Sequence, residues 1–133
     1  MNSINFMKAT IKDLPQIHKF MKSQASEERK FLGNLDRASE ENLFYNPNEI
    51  KSILSNHKNN YLVLAKLNST FVGCGLAKIE KSSKWNKYRK TGYLGMLYVD
   101  KKYRRKGVAE AIQNHRINWL RKQGIQYIHT YVL

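Results

Sequence analysis

Three segments typical of β-strands follow one another within residues 61–99, and segments typical of helices lie on both sides of them. Residues 61–65 form a continuous apolar run, which is typical of a strand buried on both faces. Residues 71–79 follow after a short polar turn, as in the second strand of a hairpin, and residues 91–99 form the third strand. We therefore expect a sheet in this region, covered by the helices.

The first two helices are indicated by their start signals. Thr10 and Asp13 have the spacing of a capping box, and the apolar residues that follow predict a helix over residues 11–24. Pro47 is typical of the first position of a helix, and the apolar spacing after it predicts a second helix that ends near His57. Both helices precede the strand region in the chain.

A third helix and two further strands complete the predicted order. Residues 108–122 have helical spacing, and Gly124 stands where a glycine cap ends a helix. Residues 5–9 predict a first strand, and residues 125–133 predict a last one. The resulting order, β-α-α-β-β-β-α-β, predicts a single mixed α/β domain of the α+β type over residues 1–133.

Composition excludes several classes of protein. The 133 residues, 41% of them hydrophobic, suffice for one core, and no run approaches the roughly 18 apolar residues of a membrane span. The N-terminus lacks the pattern of a signal peptide, and the single cysteine, Cys74, excludes an internal disulfide. No His or Cys residues have the spacing of a zinc site. Taken together, these features predict a cytoplasmic protein without a metal site and without a membrane segment.

The chain is strongly basic, with 24 Lys and Arg residues against 10 Asp and Glu residues and a formal net charge of +14. Such a surface attracts nucleic acids, acidic proteins or a polyanionic cofactor, although a solvated lysine surface gives the same balance. The basic loop at residues 81–90 contains Trp85 and Tyr88, which suit base stacking in a nucleic-acid-binding protein or partly cover a hairpin. Charge alone leaves these alternatives open.

A basic loop between residues 99 and 109 combines several features of a phosphate site. It leads into the first turn of the third helix, where N–H groups are unpaired and the helix dipole is positive. Gly107 and Ala109 are small enough to let the backbone approach a pyrophosphate. Positive charge nearby comes from Arg104, Arg105 and Lys106. The loop therefore predicts a pyrophosphate site.

A family resemblance is carried by the motif Val99-x4-Arg104-x-x-Gly107-x-Ala109. The motif resembles the acetyl-CoA signature of the GNAT superfamily of N-acetyltransferases, Arg/Gln-x-x-Gly-x-Gly/Ala after a strand that ends in Val. Residues 6–14 are similar to the first strand and helix start of that family, and residues 71–75 are similar to its third strand. The resemblance covers residues 5–133, whereas neither a Walker loop nor a dinucleotide fingerprint occurs.

The resemblance implies a GNAT-like, largely antiparallel sheet flanked by helices, in which the fourth strand (residues 91–99) splays from the fifth. It implies that acetyl-CoA binds with its pantetheine in that gap and its pyrophosphate on the amides of residues 105–109. It also implies that an amine attacks the thioester directly, while a backbone N–H near Tyr98 or Val99 polarises the carbonyl. The expected cofactor-binding residues are Leu97, Tyr98, Val99, Arg104, Arg105, Lys106, Gly107, Val108 and Ala109.

No catalytic residue is assigned, because the fourth strand departs from the family pattern. Many members carry a carboxylate there that deprotonates the amine. Simple alternation places the odd-numbered residues 93–97 on one face and the even-numbered residues 94–98 on the other, and none of them is acidic. Cys74 is interpreted as a small buried hydrophobe, and His115 and Arg116 as edge residues of the third helix with hydrogen-bonded tips.

The chain ends at Leu133 within the predicted fifth strand, whereas the family continues with another helix and a closing hairpin. We therefore expect a C-terminally short GNAT domain, which is a fragment, is completed by a partner or is a degenerate relative. A fifth strand with apolar residues at an uncovered edge (Ile125, Ile128 and Val132) further predicts a homodimer formed by strand exchange.

Three functions are consistent with these features. The leading hypothesis is an acetyl-CoA-dependent N-acetyltransferase, whose acceptor amine contacts the polar residues 26–45 and the basic residues 81–90. The basic rim favours an acidic acceptor, such as an acidic peptide or a phosphorylated small molecule. The alternatives are a non-catalytic acyl-CoA-binding or regulatory module and, third, a basic nucleic-acid-binding protein.

Overall fold

The computed structural model of the protein describes residues 3–32, 47–81 and 90–130, and it contains one five-stranded sheet. Its elements, in chain order, are β1 (Ile4–Lys8), α1 (Leu14–Leu32), α2 (Pro47–Ser55), β2 (Asn60–Leu67), β3 (Thr70–Lys81), β4 (Lys90–Val99), α3 (Val108–Lys122) and β5 (Ile128–His129). Short 3-10 turns precede α1 and α3. The strands lie in chain order; β1 to β4 pair antiparallel, and β5 lies parallel to β4. The predicted order and the mixed, largely antiparallel α/β class are confirmed.

The sheet separates two hydrophobic cores. Helices α1 and α2 cover one face, where Ile17, Ile50 and Leu64 are fully buried. Helix α3 covers the other face, where Val63 and Ile112 are fully buried. Successive residues of β2 therefore enter opposite cores, which explains why residues 61–65 are apolar without interruption.

Helix α1 begins as predicted and continues further than predicted. The Thr10 amide donates to Oδ2 of Asp13 at 2.8 Å, as expected for the predicted capping box. The helix does not end at residue 24 but reaches Leu32. Ala25 is buried on the same helical face as Met21, and the polar residues after it include no glycine or proline. Polar composition by itself does not end a helix.

Helices α2 and α3 agree with their predicted starts. Helix α2 begins at Pro47 and ends at Ser55, two residues before the predicted end. Helix α3 spans the predicted residues 108–122, and Gly124 beyond it has the left-handed conformation (φ 83°) expected of a glycine cap. Glycines in this conformation flank α3 on both sides, so the sequence marks both ends of this helix.

A β-bulge in β4 changes which face its residues occupy. Gly75 of β3 pairs with Leu97, and Ala77 pairs with Leu94, so β4 has one extra residue at this point. Leu94 consequently packs in the core under α3, whereas Tyr98 packs in the core under α1 and α2. The predicted common face of Leu94 and Tyr98 is therefore wrong, because simple alternation does not hold across a bulge.

Two polar residues of α3 contact the sheet. His115 stacks on Phe6 with 4.3 Å between the ring centroids, and its Nε2 lies 2.6 Å from Oη of Tyr61. Burial lowers the pKa of His115, which keeps the ring neutral at pH 7. Arg116 is 2% exposed and donates hydrogen bonds to carbonyl oxygens at the β4 bulge. The predicted hydrogen-bonded tips are confirmed, but the predicted edge position of Arg116 is wrong.

The fifth strand differs most from its prediction over residues 125–133. Within the described residues it pairs with β4 at Ile128 and His129, in parallel. Ile125 is 5% exposed and packs in the core under α3, so it does not belong to an uncovered edge. Val132 and the predicted gap beside the end of β4 involve residues 131–133, which lie outside the described residues.

Several other predictions also fall outside the described residues. They concern Trp85 and Tyr88 of the basic loop and residues 33–45 of the polar acceptor segment. None of the helices described is long and apolar enough to cross a membrane. Within residues 3–32, 47–81 and 90–130, no group of three or more His, Cys, Asp or Glu side chains is placed to hold a metal ion.

Candidate functional site

A cleft of about 350 Å³ opens between α1, the end of β4 and the first turn of α3. It brings together residues that are far apart in the sequence, from the first helix and from the predicted cofactor loop. The predicted cofactor-binding residues that line it are Leu97, Tyr98, Val99, Arg104 and Ala109.

The third wall of the cleft belongs to α1 and consists of Gln24, Glu27 and Glu28. Glu27 and Glu28 belong to the polar residues 26–45 that the sequence predicts to contact the acceptor, whereas Gln24 is not among the predicted site residues and the predicted helix ends at residue 24. The missed signal is helical spacing, because Gln24 and Glu27 follow the buried Phe20 at steps of four and three residues. An α1 that extends beyond residue 24 places them on one face.

The backbone of β4 presents hydrogen-bonding groups on the side away from β3. The amide of Asp100 donates to the carbonyl of Val72 at 2.8 Å, and hydrogen-bonded pairs alternate along an antiparallel ladder. Tyr98 is therefore bonded to β3 through its backbone, whereas Leu97 and Val99 turn their N–H and C=O groups the other way. Their carbonyls accept hydrogen bonds from side chains, at 3.5 Å from Nε2 of Gln24 to Leu97 and at 2.8 Å from Nε of Arg104 to Val99.

The loop before α3 turns its backbone through two left-handed residues. Arg105 has φ 62° and Gly107, the N-cap of α3, has φ 82°. The first amide bonded within the helix is that of Ala111, which donates to the Gly107 carbonyl at 3.0 Å. The amides of residues 108–110 therefore form the first turn, where the helix dipole is positive. Successive turns of this kind direct N–H groups into a concavity that suits an anion.

The remaining predicted cofactor residues differ in what they offer. The side chains of Arg105 and Lys106 are exposed beside the first turn of α3 and add positive charge there. Val108 is 2% exposed and packs in the core under α3, so it can contact a ligand through its amide alone. Gly107 offers its amide and open space, since apart from Gly107 itself and the residues adjoining it in the chain no described atom lies within 4 Å of the position that a Cβ would take.

An ion pair connects α1 with the loop across the cleft. Nη2 of Arg104 lies 2.6 Å from Oε2 of Glu27, and the guanidinium lies 5.4 Å from the ring centroid of Tyr98. The hydrogen bond with Glu27 raises the pKa of Arg104 above its already high usual value. Tyr98 also donates to Glu27, at 3.4 Å to Oε1, and its pKa is raised by burial and then by the Glu27 charge. In this structure the Arg104 side chain contacts α1 and the end of β4.

Replacing Glu27 with glutamine is expected to change the free energy of unfolding by less than about 1 kcal/mol, because exposed ion pairs are screened by water. The side chains of Arg104 and Glu27 are 41% and 36% exposed. Urea denaturation at two salt concentrations measures the change, and Glu27→Ala, which also removes the hydrogen-bond acceptor, serves as the comparison. A loss above about 2 kcal/mol in Glu27→Gln would show that the pair behaves as a buried one.

The carboxylates that face the cleft come from α1, not from β4. Glu27 and Glu28 line the cleft, whereas residues 90–99 of β4 contain no acidic residue. Cys74, the partner of Tyr98 in the ladder, is fully buried, and burial raises the pKa of its thiol to about 12. The thiol therefore stays protonated, as its interpretation as a small hydrophobe requires.

The sequence model of the "Acetyltransferase (GNAT) family" matches residues 19–133 of the chain. No curated protein sequence matches significantly.

Solved structures similar to this one include several acetyltransferases. One is a predicted acetyltransferase from Clostridium acetobutylicum with acetyl-CoA, at 20% identity and a TM-score of 0.75, which covers 98% of this chain and 81% of that one. A possible acetyltransferase from Clostridium difficile 630 is 24% identical, with a TM-score of 0.75 and coverage of 98% and 80%. An aminoglycoside acetyltransferase from an uncultured soil metagenomic sample, in complex with sisomicin, is 16% identical, with a TM-score of 0.69 and coverage of 98% and 78%. These identities support similarity of fold.

Proposed function

The chain belongs to the GNAT acetyltransferase family, and we propose that it transfers the acetyl group of acetyl-CoA to an amine, as an N-acetyltransferase. Acetyl-CoA is the acetyl donor of this family. One observation carries the proposal: the cleft joins the outward-facing backbone of Leu97 and Val99 to the first turn of α3. A ligand that carries both a thioester and a pyrophosphate requires free backbone groups for the first and the positive end of a helix for the second, within one cleft.

The residues present fit coenzyme A at both positions. The left-handed Gly107 leaves open space at the first turn of α3, and a side chain there would fill it. We assign the pyrophosphate to the amides of residues 105–109, with the exposed Arg105 and Lys106 adding charge. We assign the pantetheine chain to the outward-facing backbone of Leu97 and Val99, whose groups bond its amides except for the one N–H that faces the thioester oxygen. Tyr98, Arg104 and Ala109 line the cleft beside them through their side chains.

In the proposed reaction the chain contributes position and charge. The neutral amine nitrogen attacks the thioester carbon, the C–S bond breaks, and the leaving thiolate takes up the proton that the nitrogen loses as the amide forms. The N–H of Leu97 or Val99 would donate to the oxygen on which negative charge develops, since the Tyr98 amide faces β3. Holding both reactants in one cleft supplies a large part of such a rate enhancement, so that few catalytic side chains are needed.

The acceptor side of the cleft favours a cationic amine. Glu27 and Glu28 form its α1 wall. Arg104 already pairs with Glu27, but the cleft is lined by two carboxylates and one guanidinium, so its net charge attracts a protonated amine. The acidic acceptor expected from the basic rim stays a prediction, because residues 82–89 of that rim lie outside the described residues. A similar solved structure, of an aminoglycoside acetyltransferase, is in complex with sisomicin, which supports an amine acceptor for this fold.

A second candidate function is a module that binds acyl-CoA without turning it over. It is favoured by one observation, the lack of a carboxylate on β4 within residues 90–99. Such a module would keep the same cleft and the same contacts of Leu97 and Gly107. The two functions differ in the release of free coenzyme A thiol.

Acetyl-CoA is expected to raise the melting temperature of the protein, since a ligand that binds the native state stabilises it by mass action. At a hundred times its Kd the gain is about 2.7 kcal/mol, or roughly 5–10 °C for a chain of this size. Equal concentrations of inorganic pyrophosphate and of a single-stranded oligonucleotide control for attraction to the net charge. No shift at millimolar acetyl-CoA would contradict both functions.

Thiol release in the presence of spermidine, an aminoglycoside and an acidic peptide with a free N-terminus then separates the enzyme from the binding module. We expect release with a cationic amine, because of the acidic α1 wall. Binding of acetyl-CoA without release for any amine of the panel would favour the binding module.

A further inference from the structure

Arg116 is the one charged residue that the described core of the protein encloses, and its position is unusual. It lies on α3 with a side chain that is 2% exposed, and it reaches the sheet between β3 and β4. Burial of a charge costs several kcal/mol even after relaxation, and an apolar side chain would fill the space between helix and sheet without that cost.

The guanidinium replaces backbone donors that the β4 bulge removes. Nη1 donates to the carbonyl oxygens of Leu76 at 2.9 Å, Gly95 at 3.0 Å and Met96 at 3.1 Å. Nη2 donates to Oε1 of Gln113, one turn earlier on α3. These acceptors are all neutral, and Nε has no hydrogen-bond partner among the described residues. Burial lowers the pKa of Arg116 to about 10, so the group stays charged at neutral pH.

The sheet is shaped to admit this side chain. Gly75 of β3 lies under α3, and a Cβ at that position would lie 2.9 Å from Cδ of Arg116 and 2.7 Å from Cγ2 of Ile112. The glycine therefore leaves the channel through which the side chain reaches the bulge. An arginine, a bulge and a glycine on three different elements fit together at one point.

The contact with Met96 has a consequence for the next residue. The peptide between Met96 and Leu97 is planar and trans, so its C=O and N–H groups point in opposite directions. When Arg116 holds the Met96 oxygen between the strands, the Leu97 N–H must point away from β3. Leu97 lines the cleft at that side. A cation on the oxygen also polarises the peptide and strengthens its N–H as a donor.

We propose that Arg116 is a positioning residue for acetyl transfer: from within the β4 bulge its guanidinium fixes the Met96–Leu97 peptide, so that the Leu97 N–H faces the cleft and donates to the thioester oxygen. The proposal rests on the acetyl transfer proposed above and selects Leu97 over Val99 as the donor. Arg116 contacts no ligand itself. It acts through the backbone that it holds.

Infrared spectroscopy of acetyl-CoA labelled with ¹³C at the thioester carbonyl tests the proposal without a known acceptor. When acetyl-CoA is bound to the wild-type protein, its carbonyl band is expected at a lower frequency than the band of free acetyl-CoA in water. In Arg116→Met the band should move back towards the free value, while the Kd for acetyl-CoA changes less than about threefold. Arg121→Met removes the same charge from an exposed position of α3 and should leave the band unchanged.

Two milder variants keep the test decisive if Arg116→Met does not fold. Arg116→Lys keeps the charge, and its band should lie between those of the wild-type protein and Arg116→Met. Gln113→Ala frees Nη2, and its band should move towards the free value by less than in Arg116→Met. With a cationic amine, thiol release at saturating acetyl-CoA should fall about tenfold in Arg116→Lys, with less than a twofold change in KM. That loss is smaller than the roughly 10²–10³-fold loss of kcat that follows when a hydrogen-bond donor to the oxyanion is removed, because here the donor is misaligned but still present.

The possible failures are distinguishable. If acetyl-CoA does not bind the unmodified protein, the proposed function fails and this inference fails with it. If acetyl-CoA binds but its carbonyl band lies at or above the free value, the inference alone is overturned. It is overturned equally if the band is the same in the unmodified protein and in the folded Arg116 variants.

Discussion

Replacing Gly107 with glutamate is expected to abolish the binding of acetyl-CoA while the protein stays folded. Gly107 caps α3 with φ 82°, and its amide lies at the positive end of the helix. A glutamate there fills the open space in front of the first turn and places a negative charge where the phosphates bind. The stabilisation by acetyl-CoA, about 2.7 kcal/mol at a hundred times the Kd of the unmodified protein, should disappear at the same concentration.

The same helix supplies a matched control for this substitution. Gly124, beyond the other end of α3, also has a left-handed conformation (φ 83°), and the described residues leave open space at its Cβ position as well. Gly107→Glu and Gly124→Glu should each lose roughly 1–2 kcal/mol of stability for the backbone conformation. The helix dipole should make the glutamate about 0.3–1 kcal/mol more favourable before α3 and less favourable after it. Thermal denaturation with and without acetyl-CoA separates them, because Gly124→Glu should keep the full ligand-induced shift. A normal Kd in Gly107→Glu would exclude the first turn of α3 as the pyrophosphate site.

Local signals in the sequence are sufficient to predict the bounds of α3 and the loop before it. Gly107 and Gly124 bound the helix because the backbone there adopts conformations that other residues rarely adopt. The cation-rich loop and the small residues at the helix entrance are also local, so the motif could be recognised without knowledge of the fold. For the same reason, the predicted residues of this loop lie together in the structure.

The acidic wall of the cleft could not be predicted in the same way. Its residues Gln24, Glu27 and Glu28 lie in a polar stretch whose helical state depends on Ala25 packing in the core. That packing is a tertiary contact, and the spacing of Gln24 and Glu27 from Phe20 places them on one face only if the helix is known to continue beyond residue 24. The contribution of α1 to the cleft therefore becomes visible only when the helix lies beside the end of β4.

The phase of β4 was predicted incorrectly for a similar reason. An extra residue between Leu94 and Leu97 reverses the alternation, and nothing in residues 91–99 marks the position of a bulge apart from Gly95. The bulge is stabilised by Arg116, which is about twenty residues further along the chain on α3. The sequence alone does not distinguish this buried arginine from an exposed one, and an arginine near the apolar face of a helix usually lies at the edge of that face.

Replacing Gly73 with alanine is expected to destabilise the protein by about 1–3 kcal/mol, although alanine normally suits a strand better than glycine does. A Cβ at Gly73 of β3 would lie 2.6 Å from the backbone oxygen of Tyr98 in β4. A backbone oxygen within a ladder cannot turn aside, so the two strands must separate. Because Tyr98 and Val99 line the cleft, the affinity for acetyl-CoA should fall together with the stability.

Gly92→Ala provides the comparison, because the crowding there involves side chains. Its Cβ would lie 2.8 Å from Cδ1 of Leu120, which can move by rotation of the leucine side chain. We therefore expect a smaller loss of stability in Gly92→Ala, and an unchanged Kd for acetyl-CoA, since Gly92 lies at the far end of β4 from the cleft. Urea denaturation and acetyl-CoA titration of both variants measure these differences. Equal losses in the two variants would show that β3 and β4 adjust as easily as a side chain, and that Gly73 does not set the position of the cleft wall.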